Sequence, residues 1–343
     1  MRIPKLKKRD LTKFIDSTSG FGELWGARKK GERSAFSRLE SAKDIDLEAR
    51  RTILPPKKFM LPQSASMFKY DHNGYVEQLG KAPNRVLFGL HACDIHGILI
   101  LDRLFMERYP DPYYSERRRK TAIIGTSCIP DEFCFCQETH TDTIEEGYDL
   151  FLSEVGSDFY LTWVGSSLGD DLVRTAEDLF DEGITVEDIQ KFVDWKEWRE
   201  RKFKLDIDLD GMPDIFELTL GNKAWDKIGD RCLACGGCSM VCPTCNCYNV
   251  IDTVALTKLE GDRRRSWDAC TLCEYSLVAG GHNFRASRAD RLKLWYTHKL
   301  QAFYGEFGKP SCVGCGRCLV TCPVDINIYT VAKTLRGEEV FFK

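Results

Sequence analysis

Two cysteine-rich segments in the C-terminal part of the chain share one spacing of cysteines. The segments CLACGGCSMVCP and CVGCGRCLVTCP align without a gap as Cys-x2-Cys-x2-Cys-x3-Cys-Pro. Bacterial ferredoxins have this spacing, and in them the first three cysteines bind one [4Fe–4S] cluster while the fourth binds the other. The repeat therefore requires two segments that begin 80 residues apart, at Cys232 and Cys312, to fold together.

This crossing of ligands predicts four cysteines for each cluster. Cluster 1 takes Cys232, Cys235, Cys238 and Cys322. Cluster 2 takes Cys312, Cys315, Cys318 and Cys242. A zinc site is the alternative, but such a site uses two Cys-x2-Cys pairs rather than eight cysteines with a proline after each fourth one. Two adjacent clusters accept electrons one at a time and pass them on, so the motif indicates electron transfer.

Composition narrows the remaining classes of protein. A chain of 343 residues is long enough for two domains. The net charge of −3, from 49 basic and 52 acidic residues, gives no reason to expect nucleic acid or an anionic membrane surface as a partner. No apolar stretch approaches the roughly 20 residues of a membrane span. The start MRIPKLKKRD lacks the apolar segment of a signal peptide, so we expect a cytoplasmic protein with reduced thiols.

The N-terminal part carries a βαβ pattern. The apolar run Arg85–Leu90 predicts a strand, apolar residues at helical spacing over 95–106 predict a helix with Asp94 as its N-cap, and 121–125 predicts a second, parallel strand. A strand pair over 148–155 and 159–165 and helices over 168–181 and 186–204 are expected to follow. The glycines and prolines of the first 80 residues predict an irregular, loop-rich start.

The expected fold class is therefore α+β. A mixed α/β domain, residues 1–225, precedes a ferredoxin-like domain, residues 226–343, that holds two [4Fe–4S] clusters. Between the cysteine segments, residues 248–309 are expected to form a helical insert in which basic residues outnumber acidic ones. These cations have three open interpretations: a solvated helical face, compensation of cluster charge, or a surface for a partner subunit.

Four further cysteines predict a third [4Fe–4S] cluster in the N-terminal domain. Cys93 and Cys128 each follow a predicted parallel strand, so both lie at the sheet edge where such folds bind ligands. The loop IPDEFCFCQ then brings Cys134 and Cys136 close to Cys128. The alternative is that all four are small buried core residues, since free cysteine is among the most buried residue types.

Cys245, Cys247, Cys270 and Cys273 form a second surplus set. They could supply another cluster or a zinc ion, although such a site would crowd against Cys242. The alternative is that Cys245 and Cys247 pack beside the clusters or tune them through S–H contacts.

The order of these motifs resembles a known family. The segments LPPKKFMLP, CDIHGI, CFC, CPTCNC, WDAC, AGGHNFR, HK and CVGCGRCLVTCP are similar to those of the β subunit of cytoplasmic sulfhydrogenases and of the corresponding iron–sulfur subunit of anaerobic sulfite reductases. The resemblance extends over nearly the whole chain. The resemblance implies that the eight ferredoxin-type cysteines, and also the CFC region, are cluster ligands. Cys273 departs from the sequence pattern of the family.

The resemblance implies that the chain functions as an iron–sulfur electron-transfer subunit. Its partners would be a flavin- and [2Fe–2S]-bearing subunit linked to NAD(P)H, and a catalytic hydrogenase or a sulfite, sulfur or disulfide reductase subunit. A second hypothesis makes the N-terminal domain itself a reductase of a sulfur compound, at a substrate-accessible cluster beside Cys93 and Cys136. A third makes the chain an assembly scaffold.

Overall fold

The computed structural model describes residues 2–156, 158–338 and 340. Within these ranges the strands are β1 Lys5–Lys7, β2 Glu23–Lys30, β3 Arg33–Arg38, β4 Ser64–Asp71, β5 Gly74–Glu77, β6 Arg85–Leu90, β7 Thr121–Thr126, β8 Leu150–Val155, β9 Phe159–Val164, β10 Phe180–Asp181, β11 Tyr248–Val254 and β12 Gly261–Trp267. The α-helices are α1 Leu11–Ser17, α2 Ala92–Asp102, α3 Pro112–Arg119, α4 Ser167–Arg174, α5 Val186–Glu200, α6 Met212–Thr219, α7 Ala224–Arg231, α8 Gly237–Met240, α9 Arg288–Leu300, α10 Ala302–Phe307, α11 Arg317–Thr321 and α12 Ile328–Leu335.

An eight-stranded mixed sheet organises the N-terminal part, in the order β10-β1-β9-β8-β7-β6-β2-β3. Its four central strands, β2, β6, β7 and β8, run parallel, and the strands outside them pair antiparallel. Side chains of β6 alternate between two apolar clusters: Val86 and Phe88 pack with α1 and α4, while Leu87 packs with α2. The predicted parallel βαβ unit is confirmed, because β6 and β7 are hydrogen-bonded neighbours.

Three local predictions need correction. The helix expected to begin after Asp94 begins at Ala92, with His91 at the N-cap position. The helix expected over 168–181 ends at Arg174, and β10 follows it to pair with β1. The start of the chain is not irregular, since β1, β2 and β3 join the large sheet; charged residues on strands at or near its edges hide the strand pattern.

A second, four-stranded antiparallel sheet has the order β11-β12-β4-β5. The insert over 248–309 is therefore helical only in its second half, α9 and α10, while its first half is the β11–β12 hairpin. Cross-strand charge pairs support this hairpin, because the Arg263 guanidinium donates to both carboxylate oxygens of Asp252 at 2.7 and 2.6 Å. Arg265 is buried and pairs with Asp111. These arginines lie on a sheet rather than on a helical face.

A third apolar cluster surrounds the cysteine segments. It includes the fully buried side chains of Phe216, Trp225, Trp295 and Tyr296 together with cysteines of both segments. Helix α6 lies before the predicted boundary at residue 225 yet packs into this cluster, and the boundary itself stays a prediction. No helix in the described part of the chain has both the length and the apolar character needed to cross a membrane.

A buried ion pair connects the large sheet to the second cysteine segment. The Arg317 guanidinium of α11 contacts the Asp94 carboxylate of α2, with an Nη1–Oδ1 distance of 2.7 Å. The two side chains are 3% and 5% exposed, and Arg317 Nε also donates to the Thr52 carbonyl oxygen at 3.2 Å. Asp94 therefore pairs across the molecule instead of capping its helix.

Breaking this pair should destabilise the protein. Asp94→Leu leaves the Arg317 guanidinium buried without its anion, so we expect the free energy of unfolding to fall by about 3–5 kcal/mol. The double variant Asp94→Leu/Arg317→Met replaces both charges with apolar groups and should recover most of that loss. Urea unfolding of the anaerobically purified protein, followed by circular dichroism, measures the midpoints. Equal midpoints for wild type and the single variant would contradict the prediction.

Candidate iron–sulfur site

The two cysteine segments fold into loops with matching backbone conformations. Ala234 and Gly314 have φ angles of 50° and 56°, and Gly236 and Gly316 have φ angles of 73° and 72°. Each loop leads into a short helix, α8 or α11. These left-handed residues turn backbone amides toward the sulfur atoms, as in the 3.3 Å contact from Ala234 N–H to Cys232 Sγ. Hydrogen bonds to sulfur are a principal means by which a protein tunes a bound cluster.

The first thiol group contains Cys232, Cys235, Cys238 and Cys322. Burial, followed by the neighbouring thiols of Cys232, Cys322 and Cys235 in that order, raises the pKa of Cys238 to about 12. Burial likewise raises the pKa of Cys322, whose other neighbours include Cys232 and Cys235. The last cysteine of the second segment therefore lies with the first three of the first segment, as the crossing pattern predicts. Cys235 is exposed, so this group reaches the protein surface.

The second thiol group contains Cys242, Cys312, Cys315 and Cys318. Burial raises the pKa of Cys318, and its charged neighbours are Cys312, Cys315, Cys242 and then Cys238 of the first group. Burial also raises the pKa of Cys312 to about 12, with Cys242 and Cys315 beside it. Cys242 thus lies with the opposite segment, and the second group adjoins the first.

These donors suit clusters rather than single ions. In the described residues, no three His, Cys, Asp or Glu side chains converge as donors to one metal ion. A cubane distributes its four thiolate ligands over four iron atoms, so they stand farther apart than the ligands of one zinc ion. Eight thiols, with loop amides directed at sulfur, are the donor chemistry of two [4Fe–4S] clusters.

The third thiol group contains Cys93, Cys128, Cys134 and Cys136. Burial raises the pKa of Cys136, and the thiols of Cys128 and Cys134 are its next strongest influences. Burial also raises the pKa of Cys93, which lies near Cys136 and Cys128. The sheet edge therefore brings together the four cysteines proposed from the sequence. The Arg51 guanidinium contacts Cys134 Sγ at 3.3 Å, which places a cation at this group.

The third group packs directly on the second. Phe135, between the two cysteines of CFC, donates its backbone N–H to the Gly314 carbonyl oxygen at 2.9 Å. A Cβ atom on Gly314 would lie 2.4 Å from the Phe135 carbonyl oxygen, so glycine is required at this approach. Cys315 is also among the charged neighbours of Cys93. The second thiol group therefore adjoins both the first and the third.

The second surplus set does not stay together. Cys245 donates a hydrogen bond to Cys242, and Cys270 donates one to Cys247, whereas Cys273 is exposed and accepts from Asn283 Nδ2 at 3.6 Å. Three of the four thiols thus pack beside the second group.

Two buried lysines lie beside this region. Lys299 is one of the insert cations for which the sequence left compensation of cluster charge as an open interpretation, whereas Lys57 was not singled out. Lys57 and Lys299 are 3% and 4% exposed. Lys57 Nζ donates to the Cys245 carbonyl oxygen at 2.7 Å, and Lys299 Nζ donates to Thr244 Oγ1 at 2.7 Å. Lys57 occurs in LPPKKFMLP and Lys299 in HK, two segments that carry the family resemblance. That resemblance was the sequence signal that could have indicated both lysines as site residues.

A cavity of about 400 Å³ opens beside Cys128. It lies past the ends of β6 and β7 and beside β8, at the edge where parallel sheets bind ligands. Aromatic rings dominate its lining: Tyr148, Phe151, Trp163, Phe192 and Trp195. Arg199 closes one side by donating to the Cys128 carbonyl oxygen at 2.7 Å and to Asp142 Oδ2 at 3.2 Å.

The Cys247–Cys270 contact predicts an unusually reactive thiol. The hydrogen bond from Cys270 holds the pKa of Cys247 below its usual range, so Cys247 stays a nucleophilic thiolate to lower pH. Cys270→Ala should raise the pKa of Cys247. At pH values below the new pKa, the thiolate fraction of Cys247 falls about tenfold for each pH unit. Cys270→Ser keeps a donor and is the control. Iodoacetamide pulses at several pH values, read by peptide mass spectrometry, measure the midpoint; an unchanged midpoint in Cys270→Ala contradicts the prediction.

Comparison with known proteins agrees with this geometry. Residues 231–326 match the family model of a 4Fe–4S dicluster domain, so the chain contains a domain for two [4Fe–4S] clusters. Over 336 residues the chain is 41% identical to sulfhydrogenase 2 subunit beta of Pyrococcus furiosus, and the match covers 98% of this chain and 99% of that protein. Similarity of this extent shows that the chain, with its 4Fe–4S dicluster domain, belongs to the family of sulfhydrogenase beta subunits.

Proposed function

We propose that the chain relays electrons within a cytoplasmic, multi-subunit oxidoreductase. The observation that carries this proposal is the series of three thiol groups, here called a row, in which the second group adjoins both others. Redox centres in such a row pass single electrons from one end to the other. A clustered arrangement without an exposed end would store electrons but not exchange them, whereas the first group reaches the surface at Cys235.

Each group is proposed to hold one [4Fe–4S] cluster. Cluster 1 has Cys232, Cys235, Cys238 and Cys322 as ligands, and cluster 2 has Cys312, Cys315, Cys318 and Cys242. A third cluster has Cys93, Cys128, Cys134 and Cys136. The support for the third is the convergence of four thiols at one sheet edge, with the Arg51 cation beside Cys134 to offset the charge of a thiolate-bound cluster.

Two partner subunits are proposed at the ends of the row. The related Pyrococcus furiosus protein is named as a subunit of a sulfhydrogenase, which supports assembly into a complex. One partner is a flavin- and [2Fe–2S]-bearing subunit linked to NAD(P)H. The other is a catalytic hydrogenase or a sulfite, sulfur or disulfide reductase subunit.

A second candidate function is favoured by the cavity beside Cys128. Its position next to the third thiol group would let a small sulfur compound reach a cluster at that group. In this alternative the N-terminal domain is itself the reductase, and the dicluster domain supplies its electrons.

Iron content tests the third cluster. Anaerobically purified wild-type protein should hold about 12 iron atoms, at four per cubane, and Cys134→Ser should hold about 8. Cys273→Ser removes an exposed thiol outside the three groups and is the matched control, which should keep about 12. If wild type holds about 8 and Cys134→Ser does not change that number, the third cluster is rejected while the dicluster relay stands.

Turnover separates the relay from the reductase. We expect the chain alone, supplied with a reduced viologen dye, not to reduce sulfite, polysulfide or a disulfide, because a relay lacks a substrate-binding metal position. The same preparation should exchange electrons rapidly with a flavoprotein partner. Stopped-flow absorbance of the clusters measures the exchange, and substrate consumption measures turnover. Sustained turnover by the chain alone would favour the second candidate instead.

A further inference from the structure

The two cysteine segments differ directly after their fourth cysteines. The first reads Cys242-Pro243-Thr244-Cys245 and the second reads Cys322-Pro323-Val324-Asp325. A hydroxyl and a thiol in one segment thus correspond to an isopropyl group and a carboxylate in the other. The fourth cysteine of each segment lies with the opposite thiol group. Thr244 and Cys245 therefore accompany the second thiol group, and Val324 and Asp325 accompany the first.

Thr244 lies between a cation and a sulfur atom. Lys299 Nζ donates to Thr244 Oγ1 at 2.7 Å, and the same Oγ1 lies 3.3 Å from Cys242 Sγ. An ammonium group has no lone pair and can only donate, so the hydroxyl accepts from it and keeps its own proton for the sulfur. Val324 has no hydroxyl and cannot form such a chain.

The cation in this chain is deeply buried. Lys299 and Thr244 are 4% and 3% exposed. The partner of Lys299 Nζ is a neutral hydroxyl, and no ion pair to a carboxylate accompanies it among the described residues. Burial lowers the pKa of Lys299, but the nearby sulfur atoms of Cys242, Cys245 and Cys312 outweigh burial and raise it. The ammonium charge therefore faces sulfur.

A second buried lysine lies near Cys242. Lys57 Nζ lies 4.3 Å from the centre of the Trp267 ring and donates to the Cys245 carbonyl oxygen, while burial lowers the pKa of Lys57. The first thiol group has a different environment, because Val324 occupies the position that corresponds to Thr244 and the same hydrogen-bond chain cannot form there. Arg288 reaches the Cys232 carbonyl oxygen there, but in an exposed position where solvent screens its charge.

We propose that the Lys299–Thr244 chain keeps the reduction potential of cluster 2 above that of cluster 1, so that an entering electron rests on the middle cluster. Reduction adds one negative charge to a cluster, and a buried cation and a hydrogen bond to a ligand sulfur stabilise that charge. Lys299 and Thr244 are positioning residues in this role, since Thr244 contacts the ligand and Lys299 acts through Thr244. The inference rests on the proposed assignment of Cys242 to cluster 2.

A redox titration of the full-length holoprotein, followed by electron paramagnetic resonance, tests the chain. Thr244→Val, which copies the other segment with little change of volume, should lower the highest of the ferredoxin-type midpoint potentials and leave the lowest unchanged. We expect at least a tenfold loss in the equilibrium constant for reduction, which for a one-electron couple is about 59 mV. Lys299→Met should shift the same couple in the same direction. Thr244→Ser keeps the hydroxyl and should titrate like wild type.

Iron content of each variant separates the possible outcomes. If Thr244→Val retains its iron and no midpoint moves, or only the lowest one moves, the inference is overturned while the relay function stands. If the wild-type holoprotein shows no reducible cluster signals, the proposed function fails and the inference falls with it. If Thr244→Val loses iron, the Lys299→Arg variant is the test. Lys299→Arg keeps the positive charge and should keep the wild-type midpoint potential. A midpoint potential lowered as in Lys299→Met would overturn the inference.

Discussion

The exchange of the fourth cysteine between two loops is the constraint on which the rest of the molecule depends. Cys242 lies among the thiols of the second loop and Cys322 among those of the first, so neither group is complete without both segments. The surrounding apolar cluster joins helices from before and after the two loops. The third thiol group adds to this arrangement through the close approach of Gly314 to Phe135. A substitution in either segment therefore affects more than one thiol group.

Sequence patterns predicted the parts of the molecule that local spacing encodes. The two loops, the parallel β6–β7 unit and the convergence of Cys93, Cys128, Cys134 and Cys136 all follow from short motifs and from the rule that parallel strands end at one edge. The β2 and β3 strands were missed because charged side chains interrupt their apolar pattern. The roles of Asp94 and Lys57 were missed because their partners, Arg317 and Cys245, are 223 and 188 residues away in the chain.

The second thiol group has an electrostatic environment that a protein without clusters would not favour. A buried ion costs several kcal/mol in effective free energy unless an opposite charge offsets the cost. Arg317 has Asp94 as its counterion, whereas Lys57 and Lys299 have carbonyl and hydroxyl oxygens as hydrogen-bond acceptors and lie near cysteine sulfur atoms. With a cluster at this group, as proposed above, cluster binding and folding would be coupled, because iron-bound thiolates would also offset the charge of the buried Lys299.

The Arg317–Asp94 pair also bears on how the protein is made. A ribosome synthesises Arg317 223 residues after Asp94, so the carboxylate and the sheet edge around it wait for most of translation before their partner emerges. Contacts of such long separation form slowly, because the chain must close a large loop before the contact rewards it. Cys93, the immediate neighbour of Asp94, is exposed to the nascent-chain environment over the same interval. The thiols of the third group thus meet their C-terminal neighbours, Cys315 among them, only late in synthesis.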